Sequence, residues 1–512
     1  MIGAACIVET FRLFAVVNAD SRLTLPELLA NRAAEEPGQP ALVVDGVGVL
    51  SFGEWDRRSN ALAHALIDRG LPAGGLVGLV FGERDWIDFA VAWCAVMRAG
   101  CACVPLSGRL APAEVRHALC DCAVAAVLHG ADIDPPGAGQ WRATPADLGS
   151  DDWTPVRRVL SAGQLAQVIY TSGTTGRAKG VGATHRNLAY GVSPGRRRRK
   201  LAHSRHFLHA FPIGSNAGQT MLVNALDARP AALTLPHFTP GRFARLIESY
   251  QAGTVFVVPA MAIELLNARV QERHDLSSVK LLGSTAASLP PAVAAGLGKA
   301  FPKATIVNYY TSTEAAPAQT AMIVDPQRPA SVGKPSAGSD LKIARADGGP
   351  ARAGEQGEVW LRSPAGTRAY YGDRRLTEDT FRGGWARMGD IGYLDQDGYL
   401  YLVDRESDVI KSGAFKVSTL QVEAALYEHP AVAEAAVAGI PHPVLGQVTG
   451  AAIVTRSPVA AADLRTFLLQ RLARHEMPSR MLFLPEVPKN HAGKVDKRRL
   501  RGLLQEEASG ND

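Results

Sequence analysis

Cysteine is confined to the first quarter of the sequence, and none occurs in the 390 residues after Cys122 of this 512-residue chain. The six cysteines are Cys6, Cys94, Cys101, Cys103, Cys120 and Cys122. A secreted protein held together by disulfides does not concentrate its cysteines in this way, so that class is excluded. The two C-x-C pairs lie in apolar surroundings, and we expect buried, reduced thiols there rather than a metal site.

Long hydrophobic runs are missing as well. The best candidate, residues 89–105, is interrupted by Arg98 and ends in a proline, whereas a membrane span needs about 18 consecutive apolar residues. The N-terminal stretch contains Glu9 and has no basic lead, so we expect no signal peptide. The sequence therefore predicts a cytoplasmic protein without a membrane span.

Lysine is scarce, with 12 of the 55 basic side chains, and the formal net charge is only +6. No basic stripe interleaved with aromatics and no zinc-finger spacing is present, so we expect no nucleic-acid partner. The basic run at 196–200 is interpreted as a solvated loop. Among so many arginines, a lysine marks a place where a compact point charge matters. Lys179, Lys411 and Lys494 are such places.

Apolar residues make up 46% of the chain, which is ordinary for a globular protein of about three structural units. The first 330 residues alternate continuous apolar runs with amphipathic stretches. We predict strands at 76–81, 101–106, 124–129, 254–258, 279–283 and 304–308, and helices at 85–97, at 112–121, from Pro259 and from 290–291. This alternation predicts an α/β fold with two doubly wound, mostly parallel sheets.

The pattern changes near Val332, where short strands are separated by glycine and proline. The strands at 340–345, 357–362 and 399–405 predict a small antiparallel β-barrel or sheet. The last block predicts a small α+β domain, with helices at 420–427 and 461–473 and strands at 433–440, 450–455 and 481–484. We therefore predict a large N-terminal domain at 1–404, a linker at 405–407 and a small α+β domain at 408–512.

The strongest local signal is the segment 167–181, QVIYTSGTTGRAKGV. An apolar strand runs into six small residues and then reaches Lys179; the six are Thr171, Ser172, Gly173, Thr174, Thr175 and Gly176. Glycines allow the backbone to approach a ligand closely, and successive N–H and hydroxyl groups form a nest for anionic oxygens. The spacing is not that of a Walker A loop, because Gly180 follows Lys179. The segment predicts a phosphate-binding loop.

Five later segments occur in a fixed order behind this loop. They are 284–289 (STAASL), 308–314 (NYYTSTE), 385–392 (WARMGDIG), 404–423 (DRESDVIKSGAFKVSTLQVE) and 488–500 (PKNHAGKVDKRRL). With the loop, they resemble the ordered motifs of the adenylate-forming superfamily, which includes acyl-CoA synthetases, peptide-synthetase adenylation domains and beetle luciferases. The resemblance spans about residues 20–505. It implies ATP-dependent activation of a carboxylic acid by a large domain and a small domain that rotates about a linker.

The resemblance also implies roles for individual residues. Tyr310 would lie against the adenine, Asn308 would hydrogen-bond its edge, and Thr313 would contact the α-phosphate. Asp390 would accept both ribose hydroxyls, with Arg405 reaching the ribose from the linker. Further nucleotide-binding residues are Thr171, Ser172, Gly173, Thr174, Thr175, Gly176, Lys179, Ser284, Thr285, Ala286, Tyr309 and Thr311.

The chemistry of adenylation explains why charged groups are needed. Attack of a carboxylate on the α-phosphate builds negative charge between two anions, which fixed donors and a metal ion must neutralise. By resemblance, Glu314 and Thr175 would hold Mg²⁺, and Lys494 would supply positive charge from the small domain. Pyrophosphate leaves, and a thiol then displaces AMP from the acyl adenylate.

The predicted hinge departs from the superfamily pattern. Asp404 stands where relatives have glycine, and Ser407 occupies the pivot where they carry a charged side chain. A non-glycine residue restricts the backbone, so we expect the adenylate-forming orientation to be favoured and thiol transfer to be slower. Lys411 and Gly413 belong to the loop that would meet CoA or another thiol.

The sequence also allows part of the acyl pocket to be predicted. The resemblance places Phe211, Pro212, Asn216 and Tyr309 along it. In amino-acid-activating relatives an aspartate stands where this chain has Pro212, and proline cannot pair with an α-ammonium group. We therefore expect a neutral, largely apolar carboxylic acid, with at most a hydroxyl or carbonyl group.

Three functions fit these observations. The leading one is an acyl-CoA ligase that uses ATP, Mg²⁺ and CoA. An alternative is a stand-alone adenylation enzyme that passes the acyl group to the phosphopantetheine of a carrier protein or to a partner enzyme. A lesser alternative is a catalytically silent binding protein on this fold. The expected partners are a small-molecule acid and, in the second case, an acyl-carrier protein, and we expect a monomer or homodimer.

Overall fold

In the part of the chain that the structure describes, the strands form sheets of seven, 14 and five strands. The computed structural model describes residues 23–137, 141–171, 178–192, 199–336, 338–413, 415–490 and 493–506. The strands are β1 (Pro40–Val44), β2 (Gly48–Ser51), β3 (Leu76–Phe81), β4 (Ala102–Ser107), β5 (Ala126–His129), β6 (Trp141–Ala143), β7 (Leu165–Thr171), β8 (Lys179–Thr184), β9 (His206–His209), β10 (Ala231–Thr234), β11 (Thr254–Val257), β12 (Leu281–Ser284), β13 (Thr305–Tyr310), β14 (Gln319–Ile323), β15 (Ser331–Ser336), β16 (Asp340–Ala344), β17 (Gly357–Arg362), β18 (Ala369–Tyr370), β19 (Phe381–Arg382), β20 (Trp385–Leu394), β21 (Leu400–Arg405), β22 (Ile410–Ser412), β23 (Phe415–Val417), β24 (Val432–His442), β25 (Gly446–Thr455) and β26 (Arg480–Phe483).

The helices follow the strands in the alternating order that the sequence predicts. They are α1 (Leu25–Glu35), α2 (Phe52–Asp68), α3 (Trp86–Arg98), α4 (Pro112–Asp121), α5 (His185–Ala189), α6 (Asn216–Asp227), α7 (Pro240–Tyr250), α8 (Pro259–Asn267), α9 (Pro291–Ala300), α10 (Arg374–Thr380), α11 (Thr419–Tyr427), α12 (Ala461–Leu469) and α13 (Lys497–Glu506). Short 3₁₀ helices lie at Pro145–Leu148 and Val270–Glu272. Four of the helices begin with proline, whose missing N–H is not needed in the first turn of a helix.

The seven-stranded sheet has the order β18-β8-β7-β4-β3-β5-β6. Strands β3 to β7 run parallel, whereas β8 is antiparallel to β7 and carries the short β18 at the edge. Strand β7 ends at Thr171 and β8 begins at Lys179, so the predicted phosphate loop connects these two strands. Residues Ser172, Gly173, Thr174, Thr175 and Gly176 of that loop lie outside the described residues.

The 14-stranded sheet combines a parallel part and an antiparallel part. Strands β1, β10, β9, β11, β12 and β13 are parallel neighbours, with β2 antiparallel at one edge. Beyond β13 the order continues antiparallel through β14, β15, β21, β20, β17 and β16. The antiparallel unit predicted after residue 332 is therefore present, and β14 and β15 join it to the second doubly wound sheet.

Helix α3 forms the centre of the large domain. It packs against β3 and β4 of the first sheet and also against β1 and β2 of the second. Eleven of its 13 residues are buried, as expected for a helix that is apolar on every side. Trp86, Phe89 and Trp93 are each no more than 1% exposed, so large side chains of one helix fill the space between the two sheets.

The small sheet, β23-β22-β25-β24 with β26 beside β25, forms the C-terminal domain with α11, α12 and α13. The predicted helix at 461–473 ends earlier, at Leu469, because Glu476 accepts a hydrogen bond from the amide of Ala473 and begins a separate turn. The predicted α/β class with a large and a small domain is confirmed. The exact boundaries at 404 and 407 stay predictions.

Cys94, Cys101, Cys103 and Cys122 are buried, as the sequence predicts. The prediction is wrong for Cys120, which is exposed near the end of α4. Burial raises the pKa of the buried Cys103 thiol well above its usual value. Among the described residues, no cluster of three or more histidine, cysteine or acidic side chains could hold a metal ion.

Candidate active site

The carboxyl ends of β12 and β13 meet the antiparallel strands β20 and β21 at one cleft. In open α/β sheets, ligands bind outside the carboxyl ends of the parallel strands. Four of the predicted segments lie at this place. They are 284–289 after β12, 308–314 at the end of β13, 385–392 in β20, and the start of 404–423 in β21.

Asp390 lies at the bottom of this cleft and is only 6% exposed. The hydroxyl of Tyr310 donates a hydrogen bond of 2.6 Å to its carboxylate, and Nε of Arg405 lies 3.2 Å from it. Asp390 and Arg405 are direct partners on β20 and β21, so strand register sets their distance. Burial raises the pKa of Asp390, whereas Arg405 and the Tyr310 hydroxyl oppose this shift.

Two buried polar atoms in the cleft lack hydrogen-bond partners in the described part of the chain. They are Oγ of Ser284 and Oδ1 of Asn308, which are opposite each other on the parallel strands β12 and β13. A buried polar atom without a partner costs about 1–3 kcal/mol. A ligand with hydrogen-bonding groups at its edge fits this place.

The loop after Ser284 carries backbone strain. Ala286 has a φ of 76°, a left-handed conformation that glycine adopts easily and alanine does not. The superfamily motif has glycine where this chain has Ala286, and the structure shows why. The neighbouring Thr285 donates its amide to the carbonyl of Val257, which fixes the loop above β11.

Glu314 follows β13 and faces the first sheet. The hydroxyl of Tyr370, on β18, donates a hydrogen bond of 3.0 Å to Oε1 of Glu314. Nζ of Lys179 lies 5.9 Å from the centre of the Tyr370 ring. Among the described residues, Glu314 forms no ion pair. Tyr370 thus links the carboxylate predicted to hold a metal to the strand that leaves the phosphate loop.

The two threonines of the 311–314 segment differ in what the structure shows of them. The hydroxyl of Thr311 donates to the carbonyl of Ala318 at 2.6 Å, so it stabilises its own loop. Thr313 is half-buried next to Glu314. The predicted contact of Thr313 with a phosphate stays a prediction.

Arg368 is a residue that the sequence analysis did not single out. It is 4% exposed, one amino group donates to Oδ1 of Asn216 at 3.1 Å, and its Nε has no partner in the described chain. Burial lowers its pKa to about 10, and Glu314 opposes the shift. Arg368 directly precedes β18, which has only two residues and therefore gives no periodic signal, so the sequence offered no means of detecting Arg368.

The predicted acyl-pocket residues fall into two groups. Asn216 begins α6 and faces Arg368, and Tyr309 lies against Gly283, where a Cβ would come within 3.0 Å of the tyrosine ring. Phe211 is 1% exposed and packs in the core against His209. The carbonyl of Pro212 accepts the hydroxyl of Ser215, which caps α6.

Lys494 reaches the cleft from the small domain. Its loop is closed by Asn490, whose side chain accepts the amide of Lys494 at 3.0 Å and whose amide donates to the Lys494 carbonyl at 2.7 Å. The side chain remains open to solvent. The surrounding cleft walls and Arg405 lower its pKa, whereas Glu314 and Asp390 raise it. Residues from opposite ends of the sequence therefore share one electrostatic environment.

The predicted hinge and thiol loop lie at the domain junction. Ser407 is exposed, whereas Asp404 is only 2% exposed. Lys411 is exposed on β22, and its amide donates to Oε1 of Gln447. Gly413 has a φ of 58°, and its amide donates to the carbonyl of Leu445. The structure therefore keeps Lys411 and Gly413 on the small domain, away from the Asp390 carboxylate.

Residues 29–371 match the family of AMP-binding enzymes, and residues 421–494 match the AMP-binding enzyme C-terminal domain. The first match alone covers more than half of the chain. The chain belongs to the AMP-binding enzyme family.

Relatives of known function match this AMP-binding enzyme over nearly its whole length. An oxalate–CoA ligase of Arabidopsis thaliana is 30% identical, covering 93% of this chain and 97% of the relative. A feruloyl-CoA synthase of an Amycolatopsis species is also 30% identical, covering 92% and 97%. The predicted superfamily and the predicted class, an AMP-forming acyl-CoA ligase, are confirmed.

Solved structures agree with the fold. An amide bond synthetase of Marinactinospora thermotolerans, McbA, has a TM-score of 0.80 and 26% identity, covering 93% of this chain and 99% of that structure. The anthranilate CoA ligase AuaEII, in complex with anthranoyl-AMP, has a TM-score of 0.84 at 22% identity, covering 95% and 98%. In the described part of the chain, no helix has the length and apolarity that a membrane crossing requires.

Proposed function

We propose that this enzyme converts a carboxylic acid and ATP into an acyl adenylate and pyrophosphate, and then transfers the acyl group to CoA with release of AMP. One observation carries the proposal. The charges of Glu314, Asp390 and Arg405 of the large domain act on Lys494 of the small domain. In the proposed mechanism, these residues would supply a carboxylate for the ribose, a carboxylate for Mg²⁺ and a cation that can move away.

The nucleotide half of the site would bind ATP through groups that the fold already orients. The Asp390 carboxylate would accept the two ribose hydroxyls, with Arg405 beside it. The unpartnered Oδ1 of Asn308 suits the amino group at the edge of an adenine, and the ring of Tyr310 would lie against the base. Ser284, whose hydroxyl also lacks a partner, would contact the same edge.

Glu314 is the residue that would hold Mg²⁺. It is a carboxylate without an ion pair in the described chain, and a hard oxygen ligand suits this cation. Thr175, outside the described residues, would be its companion from the phosphate loop. The ion would neutralise charge on the phosphates. Tyr370 would orient the Glu314 carboxylate through its hydrogen bond, and Lys179 would add charge near the leaving pyrophosphate.

Lys494 would act in the adenylation step, when negative charge develops in the transition state. As the substrate carboxylate approaches the α-phosphate, negative charge grows between them, and the ammonium group would bridge both. Thr313 would donate its hydroxyl to the α-phosphate. Burial and Arg405 lower the pKa of Lys494, and the carboxylates of Glu314 and Asp390 oppose this shift.

The second half-reaction would require the small domain to leave this position. We expect it to rotate about the 405–407 hinge at Ser407 and to bring Lys411 and Gly413 to the acyl adenylate, where the CoA thiol attacks the carbonyl. Structural rearrangement between chemical steps is common in enzymes with a mobile domain. The acceptor could instead be a carrier-protein phosphopantetheine, as the sequence analysis allowed.

The acid would occupy the space between Tyr309 and the start of α6. Tyr309 and Phe256 pack around Gly283 and provide an apolar wall. At the other end, Arg368 and Asn216 provide hydrogen-bond donors. This supports a largely apolar acid with one hydroxyl or carbonyl acceptor.

The decisive experiment uses a panel of acids with ATP, Mg²⁺ and hydroxylamine, which traps acyl adenylates as hydroxamates. An accepted acid is then tested with CoA in one reaction and with a phosphopantetheinylated carrier protein in another. Hydroxamate formation and thioester on CoA support the proposal. Thioester on the carrier alone favours the alternative acceptor, and no acid-dependent pyrophosphate exchange would leave only a binding protein.

A further inference from the structure

In the described residues, the small domain contacts the large domain through packing of Tyr427 and through several polar contacts. On one side of the hinge, Asp404 at the end of β21 contacts Thr419 at the start of α11. On the other side, Lys489 lies between Glu264 of α8 and Glu434 of β24. These contacts decide where Lys494 lies.

The contact between Asp404 and Thr419 is the shorter of the two and uses both carboxylate oxygens. One oxygen of the Asp404 carboxylate accepts the amide of Thr419 at 2.5 Å, and the other accepts the Thr419 hydroxyl at 3.2 Å. Next to it, the hydroxyl of Ser418 donates to the carbonyl of Val403 at 2.5 Å. The first amides of a helix have no partner within the helix, and a carboxylate there is favoured by the helix dipole.

This contact depends on the side chain that distinguishes the present hinge. The superfamily pattern used in the sequence analysis has glycine at this position, and glycine has no side chain with which to hold α11. Burial raises the pKa of Asp404 to about 6, while its hydrogen bonds and Lys497 oppose the shift. At neutral pH the group is therefore mainly a charged acceptor, and hydrogen bonds to charged groups are the stronger ones.

The Lys489 contact is a few residues from Lys494 itself. Nζ of Lys489 lies 2.8 Å from Glu434 and 3.6 Å from Glu264. Close by, Arg456 of the small domain donates to the side chain of Asn267 at 2.7 Å. Lys489 and Arg456 therefore both connect the small domain to residues of the large domain. The contacts at both ends of the interface hold the same orientation.

We propose that Asp404 is a positioning residue for adenylate formation, clasping α11 onto β21 so that Lys494 stays in the cleft. The clasp spans the hinge, because Asp404 precedes residues 405–407 and Thr419 follows them. It must open before the small domain can turn. The proposal rests on the proposed function, since it assigns the clasp to one of two half-reactions.

The test separates the half-reactions in Asp404→Asn and Asp404→Gly. Asparagine keeps one acceptor and glycine keeps none, so the rate of acid-dependent ATP–pyrophosphate exchange should fall about 3-fold and about 10-fold, respectively. The rate of thioester formation from preformed acyl adenylate and CoA should stay equal to wild type or rise. Glu428→Gln is the matched control, because Glu428 pairs with Arg471 within the small domain. It should change neither rate.

A parallel fall in both half-reactions would show that Asp404 only supports the fold, and unchanged exchange in Asp404→Gly would also overturn the proposal. A second measurement does not depend on catalysis. The rate of tryptic cleavage between residues 405 and 416, which include Arg405, Lys411 and Lys416, should rise in Asp404→Gly. Should wild type show no exchange with any acid, the proposed function fails, and equal cleavage of wild type and variant would then refute the clasp independently.

Discussion

The two halves of the cleft are positioned by different means. Tyr310, Asp390 and Arg405 lie on neighbouring strands of one sheet, and their distances follow from strand register. Lys494 lies on a loop of the other domain, and interdomain polar contacts place it in the cleft. A sheet holds its side chains through many backbone hydrogen bonds, whereas a few contacts can open. We therefore expect the nucleotide half to keep its geometry throughout the reaction and the lysine half to move away after adenylation.

The largest expected effect is on the lysine half. Lys494→Ala should lower the rate of ATP–pyrophosphate exchange by about 10²–10³, the typical cost of removing one group that stabilises developing charge. Thioester formation from preformed acyl adenylate should change much less. Lys299→Ala, at an exposed position on α9, is the control. Near-normal exchange in Lys494→Ala would show that the two halves do not act together.

Asp390→Ala tests the nucleotide half. Loss of a charged acceptor for two hydroxyls should raise the KM for ATP by about 10- to 100-fold. The variant should also lose its preference for ATP over the 2′- and 3′-deoxy forms, which the wild-type enzyme should show. Steady-state kinetics with the three nucleotides measures both effects. A variant that still prefers ATP would place the ribose elsewhere.

Acid should lower the free energy of unfolding of the large domain. Burial lowers the pKa of His209 to about 3 and that of His185 to about 4, so both are neutral in the folded large domain. Above pH 6.5 these histidines are neutral in both the folded and the unfolded state. Below pH 6.5 the unfolded state binds protons that the folded state does not, so the free energy of unfolding falls by about 1.4 kcal/mol per pH unit for each histidine until the pH reaches its folded pKa. Denaturant unfolding from pH 7 to 4.5 measures this loss. His209→Gln should flatten the pH dependence, and an unchanged slope would contradict the assignment.

The smallest effect concerns strain beside the nucleotide. Ala286→Gly should relieve the left-handed conformation of that residue and raise the free energy of unfolding by about 1 kcal/mol. Thermal or denaturant unfolding measures the change, and Ala287→Gly, next in the same loop, is the control. A loss of stability in Ala286→Gly equal to that of the control would show that no strain is stored there.

The sequence predicted the elements that carry strong local patterns. Strands β3 and β17 and helix α4 occur at the predicted residues, because buried strands are continuously apolar and α4 begins at a proline. The motifs also predicted that Tyr310, Asp390 and Arg405 act together, and these three side chains are in contact; their roles toward a nucleotide stay predictions. Local sequence patterns did not predict which distant strands pair with each other. The joining of two units through β14 and β15 depends on register between distant strands, which no local pattern records.

The same limit applies to side-chain partners. Asp404 was predicted to act by restricting the backbone, but its carboxylate binds Thr419, 15 residues later. Arg368 just before β18 contacts Asn216, and Tyr370 in β18 contacts Glu314, and both partners belong to distant segments of the chain. Such contacts arise only when the sheets come together.

The exposed thiol of Cys120 offers an optical reporter for the first sheet. Among the described cysteines it alone is exposed, and it lies in α4 next to Asp121, whose carboxylate accepts the hydroxyl of Tyr170. Tyr170 directly precedes Thr171, at the beginning of the predicted phosphate loop. After replacement of Cys6, a thiol-reactive fluorophore would label this position selectively. Its emission would report ATP arrival at the loop in real time, without any acid or thiol acceptor present.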